Sequence, residues 1–217
     1  MVVVAPGTPA AGTKQTREAL TGAGATISGE VDLTPAWADP ARAAVLSGIT
    51  DQLAPPDSAG QTGTPAQRAA GALAASVATT KSAQVGKSSD PATALLAALT
   101  QGGFLTTKGT PDQAARLAVL LMPVAGRTAT GVAPLAAALS AADSGTVVAA
   151  PAGSARPGAS VTVIRGDATA GPKVSTVDSA DLGAGRIAVV LALAQQLAGG
   201  RGDYGTGPGA DAPVPSS

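Results

Sequence analysis

The densest group of chemistry-bearing side chains lies in Val177–Arg186, VDSADLGAGR, where Asp178 and Asp181 precede Arg186. Two carboxylates and a guanidinium between a strand end and a helix start could clamp a ligand or a metal at a sheet edge. They could equally cap the helix and supply an acidic first turn that suits its dipole. The second reading is favoured, because two Asp residues without further donors make a thin metal site. Thr8 and Ser154 follow the turns Pro6-Gly7 and Ala152-Gly153, at expected helix starts whose free N–H groups could hold an anion. Simple capping accounts for both hydroxyls as well. Arg127 follows a looser third copy of the same turn, LLMPVAGRT. Thr8, Arg127, Ser154, Asp178, Asp181 and Arg186 are therefore the candidate ligand-edge residues. Gly86-Lys87-Ser88 lacks the upstream glycine of a phosphate loop and follows a helix rather than a strand. Arg201-Gly202-Asp203 spells an adhesion tripeptide and reads as coincidence in a Gly-rich stretch.

Missing residue types exclude more than the present ones suggest. The chain has no His, no Cys and no Asn. Ser-His-Asp and Cys-His catalysis, zinc sites, disulfides and N-glycosylation are therefore absent. Two methionines give almost no soft-metal ligand set. No catalytic, cofactor-binding or metal-ligating residue is expected, and no cofactor. Lys plus Arg is 14 and Asp plus Glu is 14, for a net charge of zero. Such a balance offers no general attraction to nucleic acid, which is not an expected partner. About half of the 45% hydrophobic content is alanine, which predicts a core of small residues.

The elements that must position these residues follow from periodicity and punctuation. Val2–Ala5, Leu117–Met122 and Thr146–Ala150 are short apolar runs that suit buried strands. Ala25–Leu33 alternates and predicts a half-exposed strand. A helix from Pro9 to Gly22, capped by Thr8, joins Val2–Ala5 to Ala25–Leu33 as a β-α-β unit. Helices are expected over Pro40–Leu53 with Asp39 as cap and apolar positions at Ala44, Val45, Ile49 and Leu53, from Pro65 to about Thr80, and from Asp90 to Gly102. Phe104-Leu105 is a short extended piece. Pro134 should restrict the next helix to a start near Ala133. A short helix is preferred within Gly158–Gly171, and Val174–Val177 is a strand. Arg186–Leu197 reads as a helix with Ile187, Val190, Leu191, Ala194 and Leu197 on its buried face, Leu191 deepest.

The fold class is α/β, a mainly parallel sheet with helices on both faces and a helical insertion in the middle. Residues 1–203 form one domain, with the insertion at about 40–103 and a mobile loop at about 55–64. Residues 204–217 form a Gly/Pro-rich tail to which Tyr204 is the pinned exception. The repeated strand-Pro-small pattern of VVVAPGTPA and VVAAPAGSA would align its turns on the carboxyl edge, where doubly wound sheets bind ligands. The apolar runs Leu117–Ala125 and Ile187–Ala194 are too short to span a bilayer, so no direct membrane insertion is expected. The opening MVVVAPG shows no signal-peptide pattern and suggests a fragment of a longer chain.

Several segments together resemble the copper transporter family of actinobacteria. They are VVVAPGTPA, GAGATISGEVDLTPAWADP (Gly22–Pro40), VVAAPAGS, VSTVDSADLGAGRIAVVLALAQQLAGG and DYGTGPGA, most specific across Val174–Gly209. The resemblance implies an N-terminal membrane anchor and a coiled-coil stretch before this region. It implies a role in limiting intracellular copper, in a family described as channel-forming. It supplies no catalytic or copper-binding residue. From it follow the expectations of a non-enzymatic extracytoplasmic domain of the cell envelope, acting as scaffold or interaction domain. A homo-oligomer in the full-length protein and envelope protein partners are expected. The alternative is a small α/β enzyme or anion-binding domain using the strand-end turns.

Overall fold

The computed structural model describes residues 1–55 and 63–216. Residues 56–62, within the expected mobile loop, lie outside the described residues. Strands β1 (Val2–Val4), β2 (Gly29–Leu33), β3 (Leu105–Gly109), β4 (Ala118–Leu121), β5 (Thr146–Ala149), β6 (Ser175–Val177) and β7 (Asp203–Tyr204) form one sheet in the order β3-β2-β1-β4-β5-β6-β7. Every pairing is parallel except β2 with β3. The chain leaves β1 toward β2 on one side and re-enters at β4 on the other. The carboxyl ends of β1 and β4 are thus a topological switch point, the place where open α/β sheets bind ligands. Val2–Val4 and Ala118–Leu121 are buried throughout, as continuous apolar runs in a doubly covered sheet must be.

One face carries α2 (Ala43–Leu53), α3 (Pro65–Val77), α4 (Asp90–Gln101), α5 (Gly126–Ala142) and α6 (Ser160–Gly166), packed on Val3, Val31, Leu120 and Val148. The other carries α1 (Ala10–Gly22) and α7 (Gly183–Leu197), packed on Val2, Val4, Val119, Leu121 and Val147. α3 starts with a reciprocal capping box between Thr64 and Gln67. Its buried Ala69, Ala70 and Ala74 belong to the same core as Ala129, Ala133 and Ala136 of α5. The small-residue core is real, and it lets helices approach closely. Phe104 and Trp37 are its two large buried anchors.

Several local expectations are corrected. β2 begins at Gly29, and only Asp32 in it is partly exposed. The chain reaches α2 through two 3-10 turns, Pro35–Ala38 and Pro40–Arg42, the second capped by Asp39, whose carboxylate accepts from Ala41 N. α2 then turns Leu46 and Thr50 inward and leaves Val45 half exposed. Phe104 precedes the five-residue strand β3, which Leu105 opens. α5 starts at Gly126 and continues through Pro134. The missing proline N–H costs one helical bond, offset by burial of Ala129, Val132, Ala133, Leu135 and Ala136. α7 buries Gly185, Ala188, Val189, Ala192 and Leu193, whereas Ile187, Leu191 and Leu197 are exposed. The Gly/Pro-rich stretch opens with β7, which pairs with β6, while the burial of Tyr204 agrees with its expected pinning on the domain.

Candidate functional site

At the switch point a cleft of about 200 Å³ opens between α1, the ends of β4 and β5, and the loop before α7. Its walls are largely apolar, with Pro9, Gly12, Met122, Ala150 and Pro151 among them. Thr8 and Asp181 are among the residues that line it. Thr8 does not cap α1. Its hydroxyl donates to the carbonyls of Ala5 (2.7 Å) and Leu121 (3.2 Å), tying together the ends of β1 and β4, and Pro9 takes the cap position. Asp181 accepts from Ala152 N at 2.7 Å. Arg186 donates to the Asp181 carbonyl at 2.7 Å and to Gln15 Oε1 at 3.0 Å, linking α7 to α1.

Asp178 belongs to a different place. It is 2% exposed and pairs with Arg165 at 3.4 Å. Its Oδ1 accepts from Thr206 N (2.9 Å) and Gly207 N (3.1 Å). A Cβ on Gly205 would lie 2.1 Å from that oxygen, so only glycine lets the loop close over the carboxylate. Ser154, fully buried, donates to the Asp178 carbonyl at 3.4 Å. Neither aspartate caps α7, whose cap position is Leu182 without a side-chain bond. Backbone N–H groups of neighbouring loops have taken both carboxylates instead. Arg127 lies exposed in the first turn of α5, with no polar partner among the described residues. The structure thus brings Thr8 and Asp181 to one cleft, with Arg186 bonded to two of its lining residues, places Ser154 and Asp178 in one buried cluster, and leaves Arg127 apart.

Arg165, which no motif pointed to, organises the second cluster. It donates to Thr176 Oγ1 (2.8 Å), the Pro208 carbonyl (3.0 Å) and the Tyr204 carbonyl (3.4 Å). A third charged group was also missed. Glu30 and Asp32 share one face of β2, and Lys108 on β3 donates to both, at 2.8 Å to Asp32. Hydrogen bonds to Asp32 and Glu30 push the Lys108 ammonium above its usual pKa. Arg17 of α1 approaches Glu30 at 3.4 Å. The signal was two acids at i and i+2 in a strand whose alternate positions are apolar.

The residues at the cleft contain no nucleophile–base pair. Among the described residues no three His, Cys, Asp or Glu side chains converge as a metal site, and no helix is long and apolar enough to cross a membrane.

Comparison with known proteins gives a family. A family model described as "Copper transport outer membrane protein, MctB" matches residues 1–215. A protein named copper transporter MctB from Mycobacterium tuberculosis is 43% identical over 125 residues, covering 54% of this chain and 39% of the relative. The protein of that name from Mycobacterium leprae is 39% identical over 126 residues, covering 54% and 40%. The matched region spans about two fifths of the length of these relatives.

Proposed function

The chain belongs to the MctB family of copper transport outer membrane proteins, and on that premise we propose that it is a non-enzymatic, extracytoplasmic scaffold or interaction domain of a copper-transport envelope protein. The observation that carries this reading is the use made of the carboxyl-edge polar groups. Thr8, Ser154, Asp178, Asp181 and Arg186 are all bonded to main-chain groups of neighbouring turns. Groups that hold loops in place are not free to move protons or bind a metal. The ligand inventory, without His or Cys, agrees with a domain that supports copper handling rather than chelating Cu(I). In this reading partner proteins, or further copies of the full-length chain, meet its surface in the envelope.

The test pairs two measurements. The purified chain is titrated with Cu(I) against a competing chelator, and the full-length protein lacking this domain is tested for complementation of a copper-sensitive mycobacterial strain that has lost its own relative. The expected result is no stoichiometric sub-micromolar Cu(I) binding together with failed complementation. Tight Cu(I) binding by the chain, or full complementation without the domain, overturns the reading. A second reading, a small-ligand site, rests on the cleft beside Thr8 and Asp181. Its largely apolar walls fit an apolar ligand group better than an anion.

A further inference from the structure

Helix α7 is apolar on the side that faces water as well as on the side that faces the sheet. Seven large apolar side chains are well exposed among the described residues, and three of them, Ile187, Leu191 and Leu197, belong to this one helix, with a fourth, Leu182, at its cap position. Ala184, Ala194 and Ala198 are exposed beside them. Ala184, Ile187, Leu191, Ala194 and Ala198 follow one another at alternating steps of three and four, the spacing that keeps side chains on one stripe of a helix. The polar side chains of α7 all turn away from that stripe. Arg186 donates to Gln15 and the Asp181 carbonyl, Gln195 accepts from the Tyr204 hydroxyl, and Gln196 donates to Ser175 Oγ. A surface helix ordinarily turns its polar side to water. A continuous apolar stripe in its place marks a contact surface.

The stripe is complementary to itself when it is reversed. With two helices antiparallel about Leu191, Ile187 of one lies opposite Ala194 of the other, and Ala184 lies opposite Ala198. Large side chains then meet small ones on both sides of a two-fold axis, as a closed, isologous contact requires. The ends carry matching charges. Exposed Asp181 precedes the stripe and exposed Arg201 follows it, at equal distances in sequence from Leu191. Antiparallel packing sets acid near base at each end and opposes the helix dipoles, whereas parallel packing sets like beside like. A helix lying on lipid would carry several Lys or Arg beside its apolar side and aromatic anchors, but α7 has one Arg and no aromatic residue. The exposed apolar groups offer about 500 Å² per copy, so a pair buries about 1,000 Å², the lower end for a specific and reversible association. We propose that α7 is the seam of a homodimer in which the helices of two copies pack antiparallel about Leu191. The seam follows from α7 alone and does not depend on the copper reading, so the failure of either leaves the other standing.

The test begins with sedimentation equilibrium of the chain from about 1 to about 500 µM, where a reversible monomer–dimer equilibrium with a Kd of about 100 µM or tighter is expected. Ile187 and Leu191 are 58% and 39% exposed, so Ile187→Glu and Leu191→Glu should keep the melting temperature of the dilute chain. Each should weaken dimerisation at least about tenfold, because it buries an unpaired charge in the seam. Ile187→Glu, at the more exposed position, decides the matter if Leu191→Glu folds poorly. The chain has no cysteine, so single cysteines report the register without background. Leu191→Cys should form a disulfide-linked dimer under mild oxidation. A mixture of Ile187→Cys and Ala194→Cys should cross-link faster than either variant with itself. Val45→Cys, exposed on the opposite side of the sheet, should stay monomeric. A chain that remains monomeric up to about 500 µM overturns the proposal, and α7 amide shifts of that monomer with phosphatidylglycerol vesicles would assign the stripe to a lipid surface instead. A dimer that both glutamate variants leave intact overturns it too, as does faster cross-linking of Ala194→Cys with itself than with Ile187→Cys, which would mean parallel helices.

Discussion

Asp178 shows how local spacing misses a side chain's partners. Its position before α7 suggested a helix-start acid. Its partners, Thr206 and Gly207, lie nearly thirty residues later in a loop that local spacing does not connect to it. Arg165 was invisible for the same reason, because all its contacts are distant in sequence. Asp178→Ala should cost about 3 kcal/mol in a chemical denaturation series, since it strips two N–H donors of their acceptor and leaves Asp203 as the one carboxylate beside Arg165 among the described residues. Asp178→Asn, which keeps an acceptor oxygen, should cost less. Asp143 supplies a pH-dependent counterpart. Burial raises its pKa from 3.8 to about 7, while bonds from Thr146 and Gly145 hold it down in part. A folded-state pKa above the unfolded one gives a contribution fully present below about pH 4 and lost as pH rises through about 7. Asp143→Asn should match the parent near pH 4 and be about 2–4 kcal/mol more stable at pH 8. The Met1 amino group, lowered to about 6 mainly by burial, is held up in part by the Asp143 charge, so the difference between the two proteins reports the titration of the pair. A flat difference across that range would mean that Asp143 is charged throughout.

Elements were legible where caps and punctuation marked them. Thr64-Pro65 and Ser89-Asp90-Pro91 start α3 and α4 where expected, and Gly102 ends α4. The strands β1, β4 and β5 were equally plain, because a buried parallel strand is a short apolar run between breakers. Faces were harder than boundaries. α7 is apolar on both sides, so residue size suggested that Ile187 and Leu191 point inward. The backbone decides otherwise. A Cβ on Gly185 would lie 1.8 Å from the Ser179 carbonyl, so the helix sits too close to that loop for large side chains. Ala188, Val189 and Ala192 fill the narrow space, with Leu193 beyond them. Leu193→Ala should therefore cost about 2–5 kcal/mol, the range for a buried leucine. Leu191→Ala, at a position 39% exposed, should cost less than about 1 kcal/mol. Gly185→Ala should destabilise by at least about 1–3 kcal/mol through overpacking. Equal losses from Leu191→Ala and Leu193→Ala in thermal melts would restore the face that the sequence suggested. In α5 packing likewise overrode local chemistry, which is why Pro134 failed to mark its start.

At the scale of the whole molecule, the C-terminal stretch tests where the fold ends. Its composition reads as a tail because Gly and Pro dominate, yet several of its turns serve the sheet. β7 adds a parallel strand to β6, and the Tyr204 hydroxyl donates to Gln195 of α7. Gly205 N donates to the Ala212 carbonyl at 3.0 Å, which folds residues 205–212 back beside β7. Asp178 and Arg165 then hold the returning loop from beneath. Composition could not reveal this, because the ordering comes from partners on β6, α6 and α7 rather than from the stretch itself. Truncation after Gly202 would expose the edge of β6, uncover Tyr204's place in the core and leave the Asp178–Arg165 pair open to water. Those losses together should reach about 3–5 kcal/mol. For a chain of this size that corresponds to a fall of about 10–15 °C in melting temperature. An uncovered parallel strand is also a template for pairing with another chain, so the shortened protein should self-associate on a sizing column. Truncation after Gly209 keeps β7, Tyr204 and the Asp178 loop but removes Ala212, and should fall between the parent and the shorter form. If the form ending at Gly202 melts with the parent and stays monodisperse, the fold ends at β6 and the later residues merely rest on it.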